Sequence, residues 1–186
     1  MRLILASSSK TRKTLLHRIC GNSFEILPPE IDETPLNLEN PKNLSERLSL
    51  EKALKISKLN RDAIVIGSDQ VAFCDGKILK KSNNFDDAFE QISWQIGKQT
   101  TFFTGLALAR HGGKEVQSSI VTSQVFYRDS NFISEKLVRK YITKENPLNC
   151  AGSTKFESLG ICFLKRVETE DPSALMGLPL IKLCSF

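Results

Sequence analysis

Residues 3–13 read LILASSSKTRK, an apolar run closed by Ser7, Ser8 and Ser9 and followed by the bases Lys10, Arg12 and Lys13. A strand that ends in hydroxyls and leads into a helix offers an anion its side-chain donors, free backbone N–H groups and the positive end of the helix dipole. A phosphate suits such a turn, and so does the plainer role of serine as a helix cap. Asp69 closes the apolar run AIVIGSD, the place where open α/β sheets put their ligands; a turn or capping role fits the same spacing. In PPEIDETP, Asp32 and Glu33 lie on backbone stiffened by prolines, where paired acids can offer oxygens to a divalent cation. Lys52, Lys80 and Lys81 add positive charge. Taken together these groups supply charge neutralisation, a cation anchor and a base for water, the requirements of metal-assisted hydrolysis of a polyphosphate.

The elements that must position these residues follow from periodicity. RLILAS reads as a strand and TRKTLLHRI as a helix with Leu15, Leu16 and Ile19 on one face. The segment SERLSLEKALKISKL is a helix that Asn43 or Ser45 can cap. AIVIGSD is a strand covered on both faces that ends at Ser68 and Asp69. NFDDAFEQISWQI is a helix, and TFFTGLALA, the turn HGG and VQSSIVTSQVFY form a hairpin. SEKLVRKYI is a helix capped by Ser134, GICFLKRV a strand, and ALMGLPLIKLCSF a helix barely completed. This alternation predicts an α/β fold with a mixed sheet, as one domain whose weakest boundary lies near residue 110.

Composition narrows the function classes. The 186 residues, 40% hydrophobic and 25% charged, suit one sizeable core or two lobes sharing one. No apolar stretch approaches the roughly 20 residues that span a bilayer, and no leader pattern follows Met1, so a cytoplasmic location is expected. The five cysteines never form C-x-x-C, which argues against a disulfide framework or zinc site and predicts reduced, half-buried thiols. His17 and His111 lack partners at ligand spacing, which argues against a histidine-based zinc enzyme or a Ser-His-Asp hydrolase. The net charge of +5 suits nucleic acid, a small polyanion or a solvated basic surface.

The segments LILASSSKTRKTLL, IDETP, LEKA, VIGSDQV, FFTGLAL, NPLNCAGSTKFESLGI and GLPLI resemble, in order and spacing, the Maf family of nucleoside triphosphate pyrophosphatases, and most of all its 7-methyl-GTP pyrophosphatase (YceF-like) branch. The resemblance implies a mixed, strongly twisted sheet in two lobes around a deep cleft, often dimeric. It also implies cleavage of a nucleoside triphosphate to the monophosphate and pyrophosphate with magnesium or manganese, and needs neither membrane nor nucleic acid. By the family pattern Asp69 is the proton acceptor, Glu33 and Asp69 hold the metal, and Ser7, Ser8, Arg12, Lys52 and Lys81 bind the substrate. Thr11, Gln70 and Glu157 fall where the family tunes base choice. A carboxylate at Glu157 only accepts hydrogen bonds, which suits the N–H edge of a guanine-like base.

The chain departs from the family pattern in three places. Lys10 and Thr11 replace a proline and a flat side chain able to stack on a cationic base. Lys80-Lys81-Ser82 replaces glycine, lysine and proline, which predicts a less stiff loop. Ser158 and Leu159 follow the specificity residue, and the end LIKLCSF offers apolar surface that suits dimerisation. The reading these features favour is an enzyme that clears a modified guanine nucleotide from the pool. The alternatives are a pyrophosphatase for dTTP, UTP or another nucleotide, and a nucleotide-binding regulator of cell division.

Overall fold

A computed structural model describes residues 2–186. In chain order it contains β1 (Arg2–Ala6), α1 (Lys10–Cys20), β2 (Glu25–Ile26), α2 (Pro41–Leu59), β3 (Ala63–Cys74), β4 (Lys77–Leu79), α3 (Phe85–Gln95), β5 (Gln99–Arg110), β6 (Glu115–Tyr127), α4 (Glu135–Glu145), β7 (Leu164–Thr169) and α5 (Leu180–Leu183). The fold is mixed α/β: the sheet runs in the order β2-β1-β3-β5-β6-β7, with β4 paired to β3. Two compact units share the chain. One comprises the residues up to Gln70 with Phe103–Val121 and Asp171–Phe186, the other Val71–Phe102 and Thr122–Glu170.

In the first unit β1 lies parallel to β2 and β3. Strand alternation sends Leu5, Ile66, Leu106 and Leu108 to one face, where they pack with Leu15 and Leu16 of α1 and with Leu178. Ile4, Ala6 and Val65 face the other way, toward Ile56 of α2, and Ala107 and Ala109 meet Ala53. Helix α2 comes unusually close to the sheet. Its small residues Ser45, Ser49 and Ala53 recur every fourth position, on one face of a helix, and they meet two glycines. A Cβ on Gly67 would stand 2.2 Å from the Ser49 carbonyl oxygen, and one on Gly105 would stand 2.4 Å from that of Ser45.

In the second unit β4 returns along β3 through the Asp75-Gly76 turn, where both residues have positive φ, the type I′ geometry that matches strand twist. β7 pairs antiparallel with β6. Gln95 is fully buried and donates to the Gly152 carbonyl at 2.8 Å, while the Tyr141 and Phe163 rings meet edge to face at 4.8 Å.

Several sequence expectations need correction. β3 does not stop at Asp69 but runs on to Cys74, because VAFC can pair with KIL once Asp75-Gly76 turns the chain. Asn40 caps α2, with Oδ1 accepting the Asn43 N–H at 2.8 Å and Pro41 opening the helix; Ser45, one of the expected caps, is buried on the sheet-facing side. The first half of GICFLKRV is a 3-10 turn, Leu159–Phe163, because buried Gly160 is folded against the Lys155 carbonyl. The segment after Gly177 is not an exposed apolar tail: Leu180, Leu183 and Phe186 pack on the core cluster and Ile181 is its exposed hydrophobe. All five cysteines are free, but Cys74 is buried and Cys162 and Cys184 are exposed, so only Cys20 and Cys150 are half-buried. Among the described residues no helix is long and apolar enough to cross a membrane.

The glycine contacts give a direct test. Gly67→Ala must push α2 off β3 and is expected to destabilise the protein by about 1–3 kcal/mol, read as a lower denaturant midpoint, whereas Gly76→Ala, whose Cβ would meet nothing, is expected to cost only the strain of its positive φ, about 1 kcal/mol.

Candidate active site

The parallel register brings the candidate residues together. Ala6 pairs with Gly67, so β1 ends while β3 continues, and Ser68 and Asp69 project past the carboxyl end of their neighbour. Asp69 therefore occupies the carboxyl edge of the parallel strands, although its own strand does not end there. Ser7 is buried and its Oγ accepts the Ser9 N–H at 3.1 Å; Ser9 is the cap of α1, its Oγ accepting the Arg12 N–H at 3.3 Å. Ser8 is exposed and Thr11 half-buried, and neither side chain has a hydrogen bond among the described residues. The serine turn is thus a helix cap that also leaves the Ser8 hydroxyl exposed.

Gly67 and Asp69 share the face of β3 that looks toward α2. Lys52, three residues after Ser49, reaches from α2 to that face and is 5% exposed. Its Nζ lies 2.6 Å from Asp69 Oδ1 and 2.6 Å from Glu33 Oε1. A buried ammonium requires such pairing, because desolvation otherwise favours its neutral form. Ser45 Oγ accepts the Gly105 N–H at 2.8 Å and stands 2.9 Å from the Phe103 carbonyl and 3.1 Å from that of Asp69, and its single proton can serve either. Sequence reasoning passed over Ser45 as anything but a cap. The i, i+4 spacing of small residues on α2, set against two glycines in strands, is the signal that could have found it.

Glu33 is held over α2 by its own loop. Arg47 donates to Glu39 at 2.7 and 2.9 Å, to Glu51 at 3.2 Å and to the Thr34 carbonyl at 3.0 Å, and Lys55 donates to the Glu30 carbonyl. The Arg47 hydrogen bonds hold the Glu39 carboxyl below its ordinary pKa. Asp32 does not join Glu33 at the lysine; its Oδ1 accepts the Thr34 N–H at 2.9 Å, and hydrogen bonding from the Thr34 side chain first and then from this N–H lowers its pKa.

Arg12 donates from Nε to the Gly177 carbonyl at 2.7 Å. Burial pushes its pKa down, and the charges of Asp69 and Glu33 oppose that shift. A guanidinium stays charged regardless, so its terminal nitrogens, which have no hydrogen-bond partner among the described residues, are poised for an anion. Gln70 points to the opposite face from Asp69. Its amide nitrogen lies 2.8 Å from the Ala174 carbonyl and 3.2 Å from both the Leu175 carbonyl and Thr104 Oγ1.

Lys81 and Glu157 belong to the second unit, and both are exposed. The loop of Lys81 is not slack: Ser82 is buried, its Oγ 2.5 Å from Ser153 Oγ and accepting from Gln91 at 2.9 Å, and its N–H donates to the Leu148 carbonyl. Three hydrogen bonds replace the stiffness a proline would supply. The segment before Glu157 is fixed by Tyr127, which donates to Thr154 at 2.9 Å, and by Tyr141, which accepts the Lys155 N–H at 2.8 Å. Burial raises the Cys150 thiol to about 11, with Glu157's charge adding, so it is a spectator.

Glu33 and Asp69 fit a hard divalent cation. Two carboxylates already gathered round one positive charge are the donor set magnesium uses when phosphates and waters complete its shell. Among the described residues no group of three His, Cys, Asp or Glu is placed to hold a metal unaided.

A family model described as Maf-like protein matches residues 2–186. A protein of Colwellia psychrerythraea named 7-methyl-GTP pyrophosphatase is 43% identical over 97% of this chain and 88% of its own length. Proteins of the same name from Pseudoalteromonas atlantica (42% identical, 98% of this chain and 92% of that one) and Cupriavidus pinatubonensis (43%, 99% and 90%) match equally well. Among solved structures, a HAM1 protein from Coxiella burnetii aligns at a TM-score of 0.45 with 12% identity over 68% of this chain and 73% of that one, too loosely to carry an argument.

Lys52→Met leaves Asp69 buried without its partner and is expected to cost about 3–5 kcal/mol in chemical unfolding. Adding Asp69→Asn, which removes the stranded charge, is expected to recover part of that loss.

Proposed function

The chain belongs to the Maf family, and from that membership and the charged cluster around Lys52 we propose that it is a nucleoside triphosphate pyrophosphatase whose substrate is 7-methyl-GTP. The observation that carries the reading is the meeting of Asp69 and Glu33 at one buried ammonium, at the carboxyl edge of β1 and beside Arg12. Lys52 is paired with both Glu33 and Asp69, and Arg12 lies close enough to feel both carboxylates. A triphosphate brings several negative charges, and a divalent cation held by Glu33 and Asp69 would offset part of them. Bound there, magnesium or manganese neutralises phosphate charge and polarises the P–O bonds.

The chain's own groups do the rest. The hydroxyls of Ser7 and Ser8 and the first amides of α1 receive phosphate oxygens, and Arg12 closes on them with its free edge. Asp69 orients a water toward the α-phosphorus and takes its proton as the new P–O bond forms and the α–β anhydride breaks. Arg12 and Lys52 stabilise the negative charge that develops on the departing pyrophosphate, more in the transition state than in the ground state. Glu157 accepts the N–H groups of the guanine edge, and Thr11 adjoins the anion turn without offering a stacking plane. The product is the nucleoside monophosphate.

The test is a panel of nucleoside triphosphates with magnesium, assayed for monophosphate and pyrophosphate. Preference for 7-methyl-GTP is expected, with Asp69→Asn slower by about 10²–10⁴-fold and Glu157→Gln narrowing the margin over UTP. Turnover of UTP or dTTP ahead of 7-methyl-GTP would reassign the substrate, and no turnover of any member would overturn the enzymatic reading.

A further inference from the structure

The residues on either side of Asp69 are tied to one turn. Strand alternation puts Ser68 and Gln70 on the face of β3 opposite Asp69, and both reach the 3-10 turn Pro172–Met176 and its cap Gly177. Ser68 Oγ lies 2.8 Å from the Gly177 carbonyl and 2.7 Å from that of Gly105. Gln70 and Thr104 both donate to the Ala174 carbonyl, at 2.8 and 3.0 Å. Two carbonyls facing Gln70 settle which end of its amide points inward, since only the nitrogen can donate.

The same turn carries the candidate phosphate cation. The Gly177 carbonyl accepts Arg12 Nε at 2.7 Å, across 165 residues of sequence. Gly177 has φ +94, and a Cβ there would sit 3.3 Å from Arg12 Nε, so no other residue leaves that approach unstrained. The turn is itself locked. Asp171 Oδ1 accepts the Ser173 N–H at 3.0 Å, Asp171 Oδ2 accepts the Lys182 N–H at 3.2 Å, and Ser173 Oγ accepts the Leu180 N–H at 2.7 Å.

We infer that Gln70, Ser68 and Gly177 are positioning residues that set Arg12 against Asp69 through the turn Pro172–Gly177, and that Gln70 influences turnover by this route rather than by touching the base. The inference rests on the proposed pyrophosphatase reading for its catalytic consequence, but the geometry it describes can be tested without turnover. Gln70's amide nitrogen is committed to the turn, so the side chain has no N–H left to offer a nucleobase. A fault in the turn therefore shifts the cation that holds phosphate, which every nucleotide shares.

Double-mutant cycles with Arg12→Ala decide it. Gln70→Met keeps the length of the side chain and removes its bonds to the Ala174 and Leu175 carbonyls; Gly177→Ala and Ser68→Ala perturb the Gly177 carbonyl at the other end of the same turn, and a thermal melt confirms that each variant is folded. Magnesium-dependent binding of inorganic tripolyphosphate, measured by calorimetry, is expected to weaken about tenfold in Gln70→Met but less than about twofold when Arg12 is already alanine. In steady-state assays kcat/KM is expected to fall by the same factor for 7-methyl-GTP and for UTP. An undiminished loss in the Arg12→Ala background overturns the inference, as does a loss confined to one nucleotide. Should the parent protein turn over no nucleotide, the enzymatic reading fails while the tripolyphosphate cycle still decides whether the turn positions Arg12.

Discussion

The ammonium of Lys52 constrains everything near it. A charge removed from water in this way persists only with counter-charges at contact distance, and here Asp69 comes from β3 and Glu33 from a loop. Both reach it because α2 lies almost on the backbone of the sheet, a spacing that Gly67 and Gly105 permit and that Ser45, Ser49 and Ala53 match. Larger side chains at any of these positions would lift the helix and carry the lysine beyond reach of the strand. The packing of small residues and the electrostatics of the site are therefore one feature.

β3 serves two walls at once. Its odd residues from Val65 to Asp69 face α2, first with apolar contact and then with a carboxylate; its even residues face α1 and the turn before Gly177, first through Ile66 and then through Ser68 and Gln70. A strand buried on both faces is usually apolar throughout. Polar residues enter this one at the point where its parallel neighbour β1 has ended, and each has a partner waiting.

Much of this was legible in the residues. The strand-serine-helix opening, the cap at Ser134 and the β5–β6 hairpin follow from period and turn chemistry, and Arg12, Glu33, Lys52 and Asp69, singled out in the sequence, are brought close together by the fold. Polarity misled at Asp69, where a charged residue inside a strand looks like its end until the Asp75-Gly76 hairpin is weighed. Periodicity also failed for Leu159–Phe163, where an apolar run bends because Gly160 fits against a carbonyl. Long-range partners were invisible: nothing local links Gln70 to Ala174, or Arg12 to Gly177. Those links depend on which segments the topology lays side by side, and a single sequence does not record that.

The bond between Arg12 and Gly177 also bears on how the molecule comes into being. β1 and α1 are among the first segments made, yet the core they line is closed by Leu178, which packs with Leu5, Leu15 and Leu16. At roughly 5–20 residues per second of synthesis, the 165 residues between the two bonded groups delay that closure by on the order of ten seconds or more, although α1 and β3 can already have met β1. During that interval the part of the core that Leu178 covers stays open, so the contact that fixes Arg12 forms only after the rest of its unit has been made.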